Sequence, residues 1–472
     1  MTRPWSRIPR TIPRPSDLSR RQVLAGILLG GAATPALAGC SVVSGQVGSA
    51  KTAGLRLSKQ AAPRRERTIE LFNIWGGTTG NAWVSMAELY EKSQSHTAVK
   101  VTYAPVSGES QIRLLTAIAA GSAPDVAFSL PNQYPQFVGL DIITNLDPYL
   151  KQYGFGEKDY LPAVWKQMSV LGSVYALPAM VDPNFPMFWN KKLFARVGLD
   201  PEIGPKTIDD VDRFSEKLLQ RKGSRIVGIG TIPWDYYTYS NSMYLLGFGF
   251  GGNFVNAENT VVTADSDNLV AALTWMCDYA KKAGGAGNLA TSSPGQVLPS
   301  LAGNKIGMAP MTAIDAGNIR ANAKDLELGS GLFPYAEGLG QSGSAAFLGG
   351  WSAFVPKQSK HPDSAFDFIQ FATTTAEGTD LNFEKQHSIP GYSKAPTLKK
   401  MAADPATKVF SDVLLSCKNI APTIPVASTL GNQLNISVGQ ALFGQITPGQ
   451  ALKTVSDVSN AEWDTFRTEH PA

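Results

Sequence analysis

The chain has 472 residues, 43% of them hydrophobic and 17% charged. That is enough apolar sequence for two or three domains, and it excludes wholesale disorder. The formal net charge of +4 is concentrated in residues 1–39, which hold six arginines and one aspartate (net +5) and leave the rest at −1. A near-neutral body excludes the basic face that nucleic-acid binding requires.

The first element in chain order is a processing pattern. Arginines precede a small, apolar run over 23–38, as in a secretory signal, and the run is too short and glycine-rich to span a membrane. Arg20-Arg21 within Ser-Arg-Arg-Gln-Val-Leu resembles a twin-arginine export signal. Leu37-Ala38-Gly39-Cys40 resembles a bacterial lipobox, with Cys40 as the lipidated residue and 1–39 as the discarded signal. Acyl chains on Cys40 would hold the protein on the outer face of the cytoplasmic membrane. Residues 40–67, rich in Ser, Gly, Ala, Lys and Arg without apolar period, read as a tether.

The folded body starts with a strand at 68–75, followed by a break at Gly-Gly-Thr-Thr-Gly and a helix at 81–92 carrying Trp83, Met86, Ala87 and Tyr90 on one face. A strand at 98–106, a helix at 110–121 ending in glycine and a strand at 124–130 complete an α/β unit with a largely parallel sheet. The pattern restarts after 175–198. Thr207 and Asp210 form a capping box for a helix to about Arg221, 226–232 reads as a strand, and Asp265 or Ser266 caps a helix through Lys282. Short strands follow at 305–311 and 350–356, then a helix with Pro362 in its first turn, then a mixed tail from 422 to 466. Cys277, on a helical apolar stripe, and Cys417 read as buried thiols, with a disulfide between them left open.

No local motif supports catalysis. The four histidines do not pair at i, i+4, and there is no G-x-S-x-G, no phosphate-cradling G-x-x-x-x-G-K-[ST] and no Cys/His zinc spacing. "GFGFGG" at 247–252 lacks the dinucleotide spacing. No metal or cofactor is expected. Loops after strands instead mix aromatic rings with planar polar groups, the chemistry that binds sugar C–H faces and hydroxyls. They offer Trp75, Gly76, Thr78 and Thr79; Asn132 and Gln133; Asp182 and Asn184; Trp234, Asp235 and Tyr236; and Gly350 and Trp351. In open α/β sheets, ligands bind beyond the carboxyl ends of strands, where such loops lie. Trp83, Trp275 and the Met187–Trp189 run read as core, while Trp75, Trp234 and Trp351 suit pocket or core equally.

Several longer segments carry a resemblance: "LLTAIAAGSAPDVAFSL" (114–130), "YALPAMVDPNFPMFWNKKLFARVGL" (175–199), "LAGNKIGMAP" (301–310), "GGWSAFVPKQSKHPDSAFDFIQFATT" (349–374) and "QHSIPGYS" (386–393). In this order and spacing the chain resembles the extracellular solute-binding proteins of ABC importers, in the branch of maltose-binding and glycerol-3-phosphate-binding proteins. The resemblance implies a two-lobed periplasmic-binding-protein fold, α/β in both lobes, with an interlobe ligand cleft and several hinge crossovers. Lobe one would comprise 68–183 and 331–389, and lobe two 184–330 and 390–472. It implies a monomeric, non-enzymatic receptor that captures a solute, most simply a sugar, and passes it to the transmembrane subunits of an ABC permease. The loops named above stand where relatives contact ligand. Two aromatic shelves of maltose-binding relatives are missing here, at Met311-Thr312-Ala313 and in 422–431, which argues against maltodextrin. The alternatives kept open are a polyol, a glycerophosphodiester or a peptide-like solute on the same fold and, from another class, a secreted glycoside-active enzyme.

Overall fold

The computed structural model describes residues 65–103, 108–234, 238–286 and 299–469, with the backbone alone for 108–112. The export signal, Cys40 and the tether up to residue 64 lie outside the described residues, as do Asp235 and Tyr236. Of the two units into which the chain divides, Met1–Gln46 lies wholly outside them, and Val47–Ala472 holds everything below.

Strand Arg67–Asn73 pairs in parallel with Thr97–Tyr103, from Arg67 opposite Thr97 to Asn73 opposite Tyr103. Helix Gly77–Ser93 crosses between them and buries Trp83, Met86, Ala87 and Tyr90, the residues at helical spacing. The helix opens at Gly77 rather than at 81. The glycine-rich stretch expected to break the chain is its first turn, with Gly77 at φ +58°. Arg65 closes the other end, donating from Nη1 to the Gln94 carbonyl (2.5 Å) and from Nη2 to the Glu91 carbonyl.

The sheet becomes mixed after these two strands. Val126 bridges Leu71 in parallel, but Ala127–Ser129 pairs antiparallel with Phe347–Phe354. That late strand also takes Leu177–Asn184 antiparallel and Asn419–Ile420 in parallel. The largely parallel sheet read from the first three strands therefore holds only for that part. A strand from far along the chain completes the layer, and local patterning carries no trace of its direction. Helices Pro362–Thr374 and Ala376–Gln386 pack against helix Gly77–Ser93 on this half.

The chain turns at 184–187 into a second sheet, in which Met187–Asn190 lies between Met308–Pro310 and Leu328–Gly331, antiparallel to both. Met187, Phe188 and Trp189 are buried there, as core residues should be. Thr207 caps helix Ile208–Leu218 with Asp210 as its reciprocal partner, as the capping box predicts. Helix Asp267–Lys282 starts after Ser266. The tail forms helices Ala427–Leu442 and Pro448–Glu469, which pack on each other and on this second half.

Two connections return across the molecule. Tyr335 bridges Thr207, and Ala345 lies against Gly249, so the segment before strand Phe347–Phe354 runs along the second half. Further on, Tyr392 packs on Phe155 and Tyr160, while Ser393 and Lys394 bond to Asp159 of the first. Cys277 and Cys417 are buried and unpaired, and burial pushes their thiols up to about 11 and about 12. Among the described residues, no helix is long and apolar enough to cross a membrane.

Candidate functional site

The loop after the first strand is fixed from below. Asn73 is fully buried; its Oδ1 accepts the Trp75 amide (3.2 Å) and its Nδ2 donates to the Gly80 carbonyl (3.2 Å). Gly80 leaves no room for a side chain, because a Cβ there would lie 2.2 Å from the Trp75 carbonyl oxygen. This knot presents the Trp75 indole, half-buried, edge-on to Trp351 with centroids 5.5 Å apart. Behind the pair, Phe128 lies 4.8 Å from Trp75 and 4.6 Å from the buried Trp83. Gly76 and Thr78 are exposed beside them, and Thr79 is half-buried.

Trp351 belongs to strand Phe347–Phe354, and its register defines one face. Paired residues of an antiparallel ladder point the same way and alternate residues share a face. Trp351 lies opposite Met180, Gly349 opposite Asp182, and Phe347 opposite Asn184. Trp351, Asp182 and Asn184 thus line one side of the sheet, its buried end at Phe347 and Asn184 and its open end at Trp351. The two glycines serve the strands: a Cβ on Gly349 would lie 2.3 Å from Asn184 Nδ2, and one on Gly350 (φ +109°) 2.0 Å from the Met180 carbonyl.

Asn132 and Gln133 stand one strand away, in a short 3-10 turn after Ser129, which pairs with Ser352. Gln133 Oε1 accepts from the Ser129 hydroxyl, and helix Ala427–Leu442 comes against this turn from the second half. Two amide oxygens, Asn132 Oδ1 and Asn184 Oδ1, are buried without a hydrogen-bond partner among the described residues.

A residue that sequence reasoning did not single out, Asp315, acts on Asp182 through its charge. Thr312 caps helix Ala313–Asn322, and Asp315 reciprocates, its carboxylate accepting from the Thr312 hydroxyl (2.8 Å) and amide (3.3 Å). Burial first and the Asp315 charge second push Asp182 up to about 7, while burial pushes Asp315 up to about 6. The signal for Asp315 was present as Thr-x-x-Asp at 312–315, directly after the segment noted for its missing aromatic.

Trp234 is 3% exposed and packs on Tyr279, within the core of the second half. Among the described residues, no group of three or more His, Cys, Asp or Glu side chains is arranged to hold a metal ion.

The comparisons with known proteins agree with this architecture. An uncharacterized ABC transporter extracellular-binding protein, PH1214, of Pyrococcus horikoshii is 22% identical over 94% of this chain and 96% of its own length. The sn-glycerol-3-phosphate-binding periplasmic protein UgpB of Escherichia coli K12 is 24% identical over 87% and 95%. Among solved structures, CpMnBP1 with mannobiose bound superposes with a TM-score of 0.73 at 26% identity, covering 84% of this chain and all of that one. The ABC substrate-binding protein Lmo0181 of Listeria monocytogenes, in complex with cycloalternan, gives 0.72 at 20%, covering 84% and 99%. The expected fold is thereby met: α/β, two-lobed, of the periplasmic-binding-protein type. Residues 76–379 match the family model for bacterial extracellular solute-binding proteins, and with nearly two-thirds of its length inside that match the chain belongs to this family.

Proposed function

We infer that this protein captures a carbohydrate in its interlobe cleft and delivers it to an ABC permease, without altering a bond of the solute. The observation that carries the reading is the half-buried Trp75–Trp351 pair, standing on the same side of the sheet as Asp182. Aromatic faces take the C–H patches of a pyranose, and a carboxylate accepts from its hydroxyls. The likeness to a mannobiose-bound protein supports the class. A phosphate-bearing solute fits poorly despite the relative named for glycerol 3-phosphate. Segments 75–79, 131–133, 182–184, 311–315 and 350–351 contain no Lys or Arg, and two carboxylates lie among them.

In this reading Trp75, Gly76, Thr78, Thr79, Asn132, Gln133, Asp182, Asn184, Gly350 and Trp351 contact or frame the ligand. Asp235 and Tyr236, which lie outside the described residues, belong to the same proposed set. Lobe one spans 68–183 and the part from strand Phe347–Phe354 to 389, and takes in the neighbourhood of Tyr392, in keeping with the contacts of Tyr392–Lys394 and of Tyr335. The rest of the body is lobe two. A ligand touching both lobes favours closure by its differential affinity for the closed form. Lipidated Cys40 holds the monomer to the outer face of the cytoplasmic membrane, within reach of its permease.

The deciding experiment is a thermal-shift screen against mono-, di- and oligosaccharides, polyols, phosphodiesters and peptides, since a true ligand raises the melting temperature by mass action. A shift with phosphodiesters or peptides and with no sugar refutes the carbohydrate reading. Fatty-acid labelling that persists in Cys40→Ala refutes the anchor.

A further inference from the structure

We propose that the basic hairpin Gln220–Gly228 of the second half is a contact surface for anionic lipid headgroups; this goes beyond the carbohydrate reading and is independent of which solute is bound. Strand Gln220–Lys222 runs antiparallel to Arg225–Gly228, with Lys222 directly opposite Arg225 and Arg221 opposite Ile226. Gly223 and Ser224 make the turn, with Gly223 at φ +61°. Arg221, Lys222 and Arg225 are all exposed, and 218–230 contains no acidic residue.

Two neighbours extend the charge. Lys217 is exposed in the last turn of helix Ile208–Leu218, just before the hairpin. Lys305 is exposed on the adjoining segment, held there by Gln220 Nε2 donating to the Asn304 carbonyl (3.1 Å) and by the Ile229 amide donating to the Lys305 carbonyl (2.9 Å). Nearby cations have acidic partners: Arg213 pairs with Asp210, Lys191 with Glu202, Lys192 with Glu327 and Lys282 with Asp212, whereas the five of the patch make no ion pair among the described residues. Outside residues 1–39 the chain has a net charge of −1, so the patch is a local excess and not part of a general basicity.

Lys217 has a local explanation, since a cation at the end of a helix complements its dipole. The hairpin tip has none. Like charges directly opposite across a ladder destabilise it, and Lys222 and Arg225 stand so with no carboxylate between them. A second feature points outward. The register shifts between Gln220 and Arg221, which leaves Val227 without a partner across the ladder, and Val227 is 42% exposed two residues from Arg225. Basic stems around an exposed apolar residue are the chemistry of a membrane interface: the cations meet phosphates, and the apolar group enters at headgroup depth. No cradle for a single anion is built here. All five cations are exposed on long, flexible stems, which suits a fluid layer of charges. Where acyl chains on Cys40 supply one attachment, the patch supplies a second, and two signals anchor more stably than one.

The test uses full-length Cys40→Ser protein, so that no acyl chain contributes, with one nitroxide on Ser224→Cys at the exposed turn; Cys277 and Cys417 are buried. The label reports on the hairpin itself, so contact made only by residues 1–39 leaves it mobile. Vesicles of phosphatidylcholine are compared with vesicles that also contain about 30% phosphatidylglycerol. On the anionic vesicles the nitroxide spectrum is expected to broaden and its collisions with an aqueous nickel chelate to fall, both reversing at about 0.5 M salt. Each cation near such a surface contributes roughly fivefold, so Lys222→Gln with Arg225→Gln is expected to lower the ratio of immobilised to mobile label roughly 25-fold. Arg221→Gln with Lys305→Gln is an independent second pair, with the same expected loss. A label that stays mobile on anionic vesicles, immobilises equally on neutral ones, or immobilises equally in both double variants overturns the proposal. Immobilisation by native membranes but not by vesicles of their extracted lipids assigns the surface to a membrane protein and overturns it too. None of these results bears on the solute screen, whose failure would refute the carbohydrate reading alone.

Discussion

Two aspartates of the first half receive opposite treatment. Asp125 is buried and fully engaged: its Oδ2 accepts the Glu70 amide (2.9 Å), and its Oδ1 accepts the Ser359 hydroxyl (2.6 Å) and the amides of Lys360 (3.1 Å) and His361 (3.2 Å). Asp182 is half-buried, yet it accepts from no described group and feels the charge of Asp315. A carboxylate the fold satisfies holds the fold together. One the fold encloses without satisfying costs stability and is suited to a partner from outside.

The contrast breaks most readily at Asp125. Replacing it with Ala removes the acceptor of four donors, of which the His361 amide keeps Ser359 Oγ, and is expected to cost about 4 kcal/mol in urea unfolding, since bonds to charged groups contribute roughly 1.5–3 kcal/mol each and are not additive; an unchanged midpoint would remove Asp125 as a tie. Gly350→Ala should cost about 3 kcal/mol, from its left-handed φ and the collision with the Met180 carbonyl, and should melt correspondingly earlier. Trp351→Ala probes the other side of the comparison. It should weaken the best-bound sugar of the thermal screen by about 1–3 kcal/mol in calorimetry, with a smaller effect on unfolding because the ring is half-exposed. The smallest effect has the opposite sign: Asp182→Asn should stabilise the ligand-free protein by about 1 kcal/mol at pH 8 and by nothing at pH 3. The folded protein keeps the Asp182 proton up to about 7, whereas the unfolded chain loses it near 3.8, so wild-type stability falls as pH rises through that window. A wild-type and variant difference that is flat with pH would contradict the enclosed carboxylate.

Much of this was legible before any coordinates. Helical spacing placed Trp83, Met86 and Tyr90 in the core, and Thr207 with Asp210 marked a helix start to the residue. Local signals carry such features because their physics is local. The mixed sheet was not legible, since strand Phe347–Phe354 meets partners far away in sequence and its direction leaves no periodic mark. One glycine misled: Gly77 starts a helix instead of breaking one, whereas Gly349 and Gly350 admit a neighbouring strand. Of the site, the Trp75–Trp351 contact joins two residues already named as candidates. Asp315 was overlooked because its capping role is an adequate local explanation, and only the effect of its charge on Asp182 gives it another.

The placement of strand Phe347–Phe354 bears on how the chain is made. Ribosomes issue the N-terminus first, so Ala127–Ser129 and Leu177–Asn184 emerge long before the strand that joins them. Until residue 347 and its followers appear, both segments present unpaired edges, and Asp125 waits for Ser359–His361. The first lobe cannot be finished while the second is still being synthesised. Neither half is a separate product of translation: the order of assembly is imposed by the last third of the message, and a truncation anywhere before residue 361 should yield an aggregating fragment instead of an isolated lobe.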